Sequence, residues 1–170
     1  MVLGGWALVK ADEAEKGFAR LRAGLDAYRA IGSRVWRSQS LALFADACLA
    51  TGRIEEGLSA VREAFTEVEG TAARYYEAEL NRLEGELLLA SEAPDESRAE
   101  GSFRNAIAIA RGQEAKSWEL RAATSLARLL ARQGKREEAH ALLASVHGWF
   151  TEGFDTADLK EAATLLSELR

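Results

Sequence analysis

The sequence predicts an all-α chain in which about four antiparallel helical hairpins stack as a solenoid, closed by one C-terminal capping helix. Three observations lead there. Proline occurs once in 170 residues, against a background rich in Ala, Leu, Glu and Arg, the residues that favour helix. A pattern of small and large residues recurs four times at a spacing of 40 to 42 residues. A second helical pattern precedes each copy, so the repeating unit is a pair of helices.

The first pair opens near Met1, with Gly5 as its small residue, and continues through EAEKGFARLRAGL at 13–25. In the second pair LALFADACLATG (41–52), built around Ala45, precedes RIEEGLSAVREAF (53–65). In the third LNRLEGELLLAS (80–91), around Gly85, precedes ESRAEGSFRNAI (96–107). In the fourth TSLARLLARQG (124–134), around Ala127, precedes KREEAHALLASVH (135–147). Within the second helices, acidic residues lead into Gly17, Gly57, Ala99 and Ala139, at intervals of 40, 42 and 40. Four positions on stand Leu21, Val61, Phe103 and Leu143, and four further Leu25, Phe65, Ile107 and His147. Residues at such spacing share one helix face. The small residue in each helix lets two backbones approach closely.

Turn signals separate the members of a pair: Thr51-Gly52, Pro94-Asp95 and Gln133-Gly134. Ser97 with Glu100, or Asp95 one turn earlier, offers an N-cap after Pro94. The repeats are placed at about 1–32, 33–70, 71–113 and 114–150 of a single domain 1–170, and the capping helix at 155–169. HGWFTEGFDTADLKEA (147–162) ends the last repeat. Gly148 and Gly153 break the helix, and Trp149, Phe150 and Phe154 are expected to seal the end of the core. Asp155 or Thr156 is expected to cap the final helix, with Asp158 in its first turn and Leu159, Ala162, Ala163, Leu166 and Leu169 as its buried stripe. At the other end Val2, Leu3, Trp6, Leu8 and Val9 supply no polar outer face of the kind a solenoid cap needs. That N-terminal edge is expected to be covered by another repeat in a longer protein, or by a second copy in a homodimer.

The Gly/Ala pair and the apolar residue four positions past the second small one resemble the tetratricopeptide repeat (TPR) family, with its W-x2-L-G-x2-Y…A-x3-F…P pattern. The period here is about six residues longer and no copy has the family's terminal proline, which implies lengthened helices. RYYEAELNRLEGELLLA, SWELRAATSLARLLARQGKREEAHALL and GWFTEGFDTADLKEA are similar to the C-terminal TPR segment of multidomain bacterial signalling ATPases and nucleotide-cyclase-linked regulators. The resemblance implies a right-handed superhelix whose concave side is lined by the first helix of each hairpin. On matching phases that lining holds Gln39, Asp46, Glu79, Arg82, Glu86, Arg121, Thr124, Arg128 and Arg132. Ala42 and Asp46 stand where the basic two-residue clamp of some TPR domains would need cations.

The chemical candidates are thin. Gly134-Lys135 lacks the upstream glycine and following hydroxyl of a phosphate-binding loop. His140 and His147, seven apart on one helix, would sit roughly 10.5 Å apart along its axis, too far to share a metal. Glu137 and His140 form an E-x-x-H without the second such element a di-metal bundle requires. Cys48, among Leu43, Phe44, Ala47 and Leu49, reads as a small buried hydrophobe rather than a nucleophile. No catalytic residue, metal or cofactor is assigned.

A formal charge of -5 disfavours general nucleic-acid binding, although Arg111, Lys116, Arg121, Arg128, Arg132, Lys135 and Arg136 could form a local basic patch. One cysteine, a start (MVLGGWALVKADEAEKG) whose apolar run is too short for a signal peptide and has no basic leader, and no ~20-residue apolar run point to a cytoplasmic chain that does not enter a membrane. The expected role is a non-catalytic protein–protein interaction or scaffold module, a sensor or regulatory segment of a bacterial signalling or transcription regulator, binding a protein or peptide in its groove. The competing reading is a receptor for a small molecule or acidic peptide, held by the stripe of Arg121, Arg128 and Arg132. The two differ in whether Glu79 and Glu86 already neutralise Arg121 and Arg128.

Overall fold

The computed structural model describes residues 1–32, 36–69 and 74–170. The expected repeat boundaries at 32/33 and 70/71 lie outside or against the limits of these residues. Among them the chain forms nine α-helices and no strand: α1 (Val2–Lys10), α2 (Ala14–Ala30), α3 (Arg37–Ala50), α4 (Ile54–Glu69), α5 (Glu77–Ala90), α6 (Glu96–Gly112), α7 (Lys116–Arg132), α8 (Arg136–His147) and α9 (Ala157–Glu168).

Four antiparallel pairs result, α1–α2, α3–α4, α5–α6 and α7–α8, and their stacking is regular. α3 packs on α1 and α2, α5 on α3 and α4, α7 on α5 and α6, and α9 on α7 and α8. The odd helices therefore lie side by side in one layer. The even helices form a second layer, tied across by pairs such as Arg22–Glu56 and Arg104–Glu138, each 3.1 Å. α9 occupies the place that the first helix of a fifth hairpin would hold.

The turns explain the register. At Asp12, Gly52, Glu114 and Gly134 the backbone turns left-handed, with φ of 61°, 73°, 55° and 80°. The next residue's N–H then reaches back to the carbonyls of Leu8, Cys48, Ala110 and Leu130, each at 2.9 Å. This is the six-to-one bond that closes a helix end around an αL residue. In α5–α6 the longer Ser91–Asp95 connection takes its place, and Asp95 Oδ1 caps α6 by accepting from the Arg98 N–H at 3.0 Å.

The small residues mark the helix crossings. Gly5 and Gly17 bring two backbones together: a methyl built on Gly5 would lie 2.8 Å from the Gly17 carbonyl oxygen. At Gly85 the space is taken by the Phe103 ring instead, 2.4 Å from such a methyl. Ala45, Ala99, Ala127 and Ala139 are fully buried, as are Leu21, Phe103 and Leu143.

Expectations change at both ends. Val2 and Val9 belong to the core, packed on Gly24 and Gly17, and Trp6 turns toward α3, so of Val2, Leu3, Trp6, Leu8 and Val9 it is Leu3 that stays exposed. The physical reason is that the glycines of α2 leave cavities that the valines fill. At the C-terminus Phe150 packs on the core, whereas Trp149 and Phe154 stay exposed rather than sealing it. Leu165 is buried in the stripe where Ala163 was expected, and Ala163 faces out. Thr156 holds the N-cap position of α9, but its hydroxyl donates back to the Gly153 carbonyl at 2.8 Å.

Candidate functional site

The odd-helix layer presents the surface on which the expected site residues gather, and its chemistry is set by which charges meet. Arg82, on the buried side of α5, forms two hydrogen bonds with Glu79, Nε to Oε2 at 2.8 Å and Nη2 to Oε1 at 2.7 Å. Its Nη1 lies 3.6 Å from Glu86. Burial works against this cation, yet Glu79, Glu86 and Asp46 raise its pKa above the ordinary guanidinium value. Arg121 of α7 reaches Glu79 at 3.0 Å and Asp158 of α9 at 3.9 Å. Arg128 pairs with Glu161 of α9.

The expected partnership of Glu79 with Arg121 is therefore present, and that of Glu86 with Arg128 is not. Glu86 accepts from the Ser125 hydroxyl at 2.6 Å, and α9 brings Glu161 to Arg128 instead. A sequence repeat aligns helices one hairpin apart, so the charge contributed by an extra helix is invisible to it.

Two adjoining hollows cover this layer. One, of about 240 Å³, is lined by Leu3, Trp6, Ala42, Leu43, Asp46, Tyr76, Glu79, Leu83 and Arg121. The other, of about 330 Å³, shares Leu3 and Leu43 and adds Tyr28, Trp36, Gln39 and Ser40. Arg82, Arg121, Thr124, Ser125 and Arg128 surround only about 80 Å³, closed by Asp158 and Glu161. Thr124 turns its hydroxyl to the Leu120 carbonyl at 2.8 Å. Arg132 lines none of these hollows and is exposed in the last turn of α7.

Asp46 is the anchor of the apolar end. It accepts from Trp6 Nε1 at 2.6 Å and pairs with Lys10 at 2.9 Å. Burial alone would raise its pKa, but Lys10 and Trp6 outweigh that and hold the carboxylate below its ordinary range. α1 is thereby latched to α3 by one half-buried carboxylate.

Sequence reasoning missed an aromatic ladder along one rim. Trp36, Tyr75, Tyr76 and Trp118 meet edge to face in succession, with centroids 6.3, 5.9 and 5.1 Å apart. Arg121 lies over the Trp118 ring at 5.4 Å. The signal was present as Trp36 and Trp118 at the starts of two first helices, with Tyr75-Tyr76 just before a third.

The remaining candidates are chemically quiet. Burial, with Glu56 adding to it, pushes the Cys48 thiol up to about 12. His147 packs against Phe154, centroids 5.9 Å apart, and its Nε2 has no partner. Among the described residues no group of three or more His, Cys, Asp or Glu is placed to hold a metal ion. No described helix is long and apolar enough to cross a membrane. No family model matches the chain, and no curated protein and no solved structure is significantly similar to it.

Proposed function

We propose that the chain is a non-catalytic interaction module of the TPR kind, a sensor or scaffold segment of a larger bacterial regulator, that receives a protein or peptide segment on its odd-helix face. The observation that carries this reading is the division of that face. At one end Leu3, Trp6, Leu43 and Tyr76 line open space that the paired Asp46, Glu79 and Arg121 border, while toward the other Arg82, Arg121 and Arg128 are tied up by Glu79, Asp158 and Glu161. Apolar space with a few hydrogen-bonding groups suits an anchor side chain of a peptide. Guanidiniums already paired have little left for a carboxylate, and releasing Arg82 would leave Glu79 buried without its partner.

The same pairing weakens the nucleic-acid reading. Arg111 and Lys116 both bind Glu119, at 2.6 and 2.7 Å, and Arg136 binds the Glu168 carbonyl. Arg132, Lys135 and Arg136, clustered at the α7–α8 turn, remain without a carboxylate partner, too few for a phosphate track.

Selection of binders from a random displayed-peptide library tests the proposal. Binders that lose more than about tenfold in affinity on Leu43→Glu, and less than about twofold on Arg128→Ala, would support an apolar anchor site. Binders that depend on Arg121 and Arg128 and ignore Leu43 would overturn it in favour of the acidic-ligand receptor.

A further inference from the structure

A further hollow lies at the edge where the two helices of each hairpin join, between the second hairpin and the third. Hairpins one, two and four turn through residues 11–13, 51–53 and 133–135, but α5 passes to α6 through the longer stretch 91–95, with Pro94 in it. Ser91 leaves α5 in an extended conformation, with φ -70° and ψ 162°. In place of the six-to-one bond of the other turns, the Leu88 carbonyl accepts from the Ser91 hydroxyl at 2.9 Å and the Asp95 N–H at 3.4 Å. Between this connection and the first turns of α4 a hollow of about 880 Å³ opens. The interior divides at the same seam. One buried cluster runs from Val2 to Leu87 and the other from Leu88 to Leu169, and Leu58 packs against both. Arg22 with Glu56 ties α2 to α4, and Arg104 with Glu138 ties α6 to α8, but among the described residues no ion pair joins α4 to α6.

Shape selects a small molecule. Ile54, Leu58 and Leu88 give the hollow an apolar floor, half-buried or buried. None of the exposed large hydrophobic side chains among the described residues lines it, so its apolar surface is concave and confined. A protein partner needs a patch of roughly 800 Å², whereas a hollow of about 300–1,000 Å³ with apolar walls and a few polar groups is the form of a small-molecule site.

Charge selects its sign. Four carboxylates, of Glu55, Glu56, Glu92 and Asp95, line the hollow against the two guanidiniums of Arg53 and Arg98. Arg53 is held by Glu56, Nε to Oε1 at 2.9 Å, and Arg22 reaches the same carboxylate from α2 at 3.1 Å. Arg98 lies 4.0 Å from Asp95. Glu55 on α4 and Glu92 on the connection are exposed and have neither a hydrogen bond nor an ion pair. One turn before Leu88, Glu84 accepts from the Ser102 hydroxyl at 2.9 Å and meets no cation. Arg62, the one cation of α4, stands two turns beyond Glu55 and outside the lining. The lining is therefore net acidic even with Arg22 counted, and its unpaired charges are both carboxylates. We infer that this hollow is a binding site for a small organic cation with an apolar body, its ammonium group toward Glu55 and Glu92 and its body over Ile54, Leu58 and Leu88. It shares no lining residue with the hollows of the odd-helix face, so it stands independently of the function proposed for that face.

The test titrates the whole chain at low ionic strength with octylamine and with octanoate, both below their micellar concentrations, and follows amide chemical shifts. Octylamine is expected to bind with a Kd of about 1 mM or tighter, at least about fivefold more tightly than octanoate, and to shift the amides of residues 52–58 and 90–98. Glu55→Gln with Glu92→Gln should weaken octylamine more than about fivefold. Ala93→Trp, at an exposed position outside the core, should fill the hollow and weaken it by a similar factor. The matched neutralisation between α8 and α9, Glu152→Gln with Asp155→Asn, should change it less than about twofold. Equal loss from the two neutralisations would overturn the proposal, because attraction would then be a property of the acidic chain and not of this hollow. Equal affinity of the two probes, or no octylamine binding up to about 10 mM, would overturn it as well. So would shifts centred on Leu43 and Tyr76, or an affinity that Ala93→Trp leaves unchanged, by placing the amine elsewhere.

Discussion

The first and fourth hairpins fill the same slots of the repeat with different residues, and the difference shows what a repeat does and does not specify. α1 and α2 carry Gly4, Gly5, Gly17 and Gly24, and α7 and α8 carry no glycine. A helical glycine costs about 1 kcal/mol relative to alanine, so the first hairpin starts at a disadvantage of several kcal/mol. It recovers part of this through contact. A methyl on Gly17 would lie 2.7 Å from the Gly5 carbonyl oxygen, and one on Gly24 2.4 Å from Val2 Cγ2. The fourth hairpin keeps the Ala127 and Ala139 methyls between its helices, fully buried, and adds α9 over the top. A repeat slot therefore demands smallness, and the neighbouring helix decides how small.

Overfilling one of those slots is the strongest way to break the comparison. Gly17→Val is expected to destabilise by about 3 kcal/mol or more, because the new atoms meet backbone that cannot turn aside. Ala139→Gly, at the matching position of hairpin four, should cost only about 1–2 kcal/mol, from helix propensity and a small cavity. Urea titrations of the two variants that moved the midpoint equally would mean that the first hairpin is not held by backbone contact.

The next effect concerns the cover on the fourth hairpin. Leu159 is buried against the core that α7 and α8 share with α9. Leu159→Ala should lower stability by about 2–3 kcal/mol, and removal of residues 155–170 by more. Hydrogen exchange in the Leu159→Ala variant should then quicken in α7 and α8 while α1 and α2 are unchanged. An unaltered melting temperature after truncation would show that α9 is not part of the folded unit.

The third effect is a pH dependence at the contact between the first two hairpins. Asp46 holds Lys10 and Trp6, and its pKa is depressed below the ordinary 3.8. A depressed carboxylate contributes stability that is present above 3.8 and is lost as pH falls through the folded-state value. Acidification below about pH 4 should thus loosen α1 from α3, read as a change in Trp6 fluorescence. Asp46→Asn should remove the acid-dependent part and cost about 1–2 kcal/mol at neutral pH. Glu119, also depressed, ties α6 to α7 and should give a separate acid loss that Asp46→Asn leaves in place.

The same pair of hairpins shows how much could be read beforehand. Helix number, pairing and the small residues at Gly5, Gly17, Ala127 and Ala139 follow from periodicity, because those positions recur and local spacing fixes which face is buried. The pairing of Arg121 with Glu79 follows too, since both lie on adjacent first helices of the repeat. Arg128 with Glu161, the Trp6–Asp46 bond and the exposure of Trp149 do not. The first and last depend on a helix or loop that the repeat does not copy, and Trp6 with Asp46, although one repeat apart on adjacent first helices, is a pair that the other hairpins do not repeat. Tyr75 and Tyr76 carry no such signal, because single aromatics at helix starts acquire meaning only when stacking brings them together.

The smallest effect lies in two turns that periodicity hid. Gly52 and Gly134 take left-handed φ without strain, while Asp12 in the first hairpin and Glu114 before the fourth take the same region with a side chain. For a non-glycine residue that region costs up to about 1–2 kcal/mol, less for aspartate, whose short side chain tolerates it. Glu114→Gly should therefore raise stability by about 0.5–1 kcal/mol and Asp12→Gly by a few tenths, offset in part by the greater freedom glycine gives the unfolded chain. Both side chains are exposed, and neither makes a hydrogen bond or ion pair that the change would lose. Thermal melts of the two variants would rank them, and a larger gain at Asp12 than at Glu114 would reverse the argument. That result would mean the first hairpin's turn, and not only its glycine-lined crossing, is held under strain by the close approach of α1 to α2.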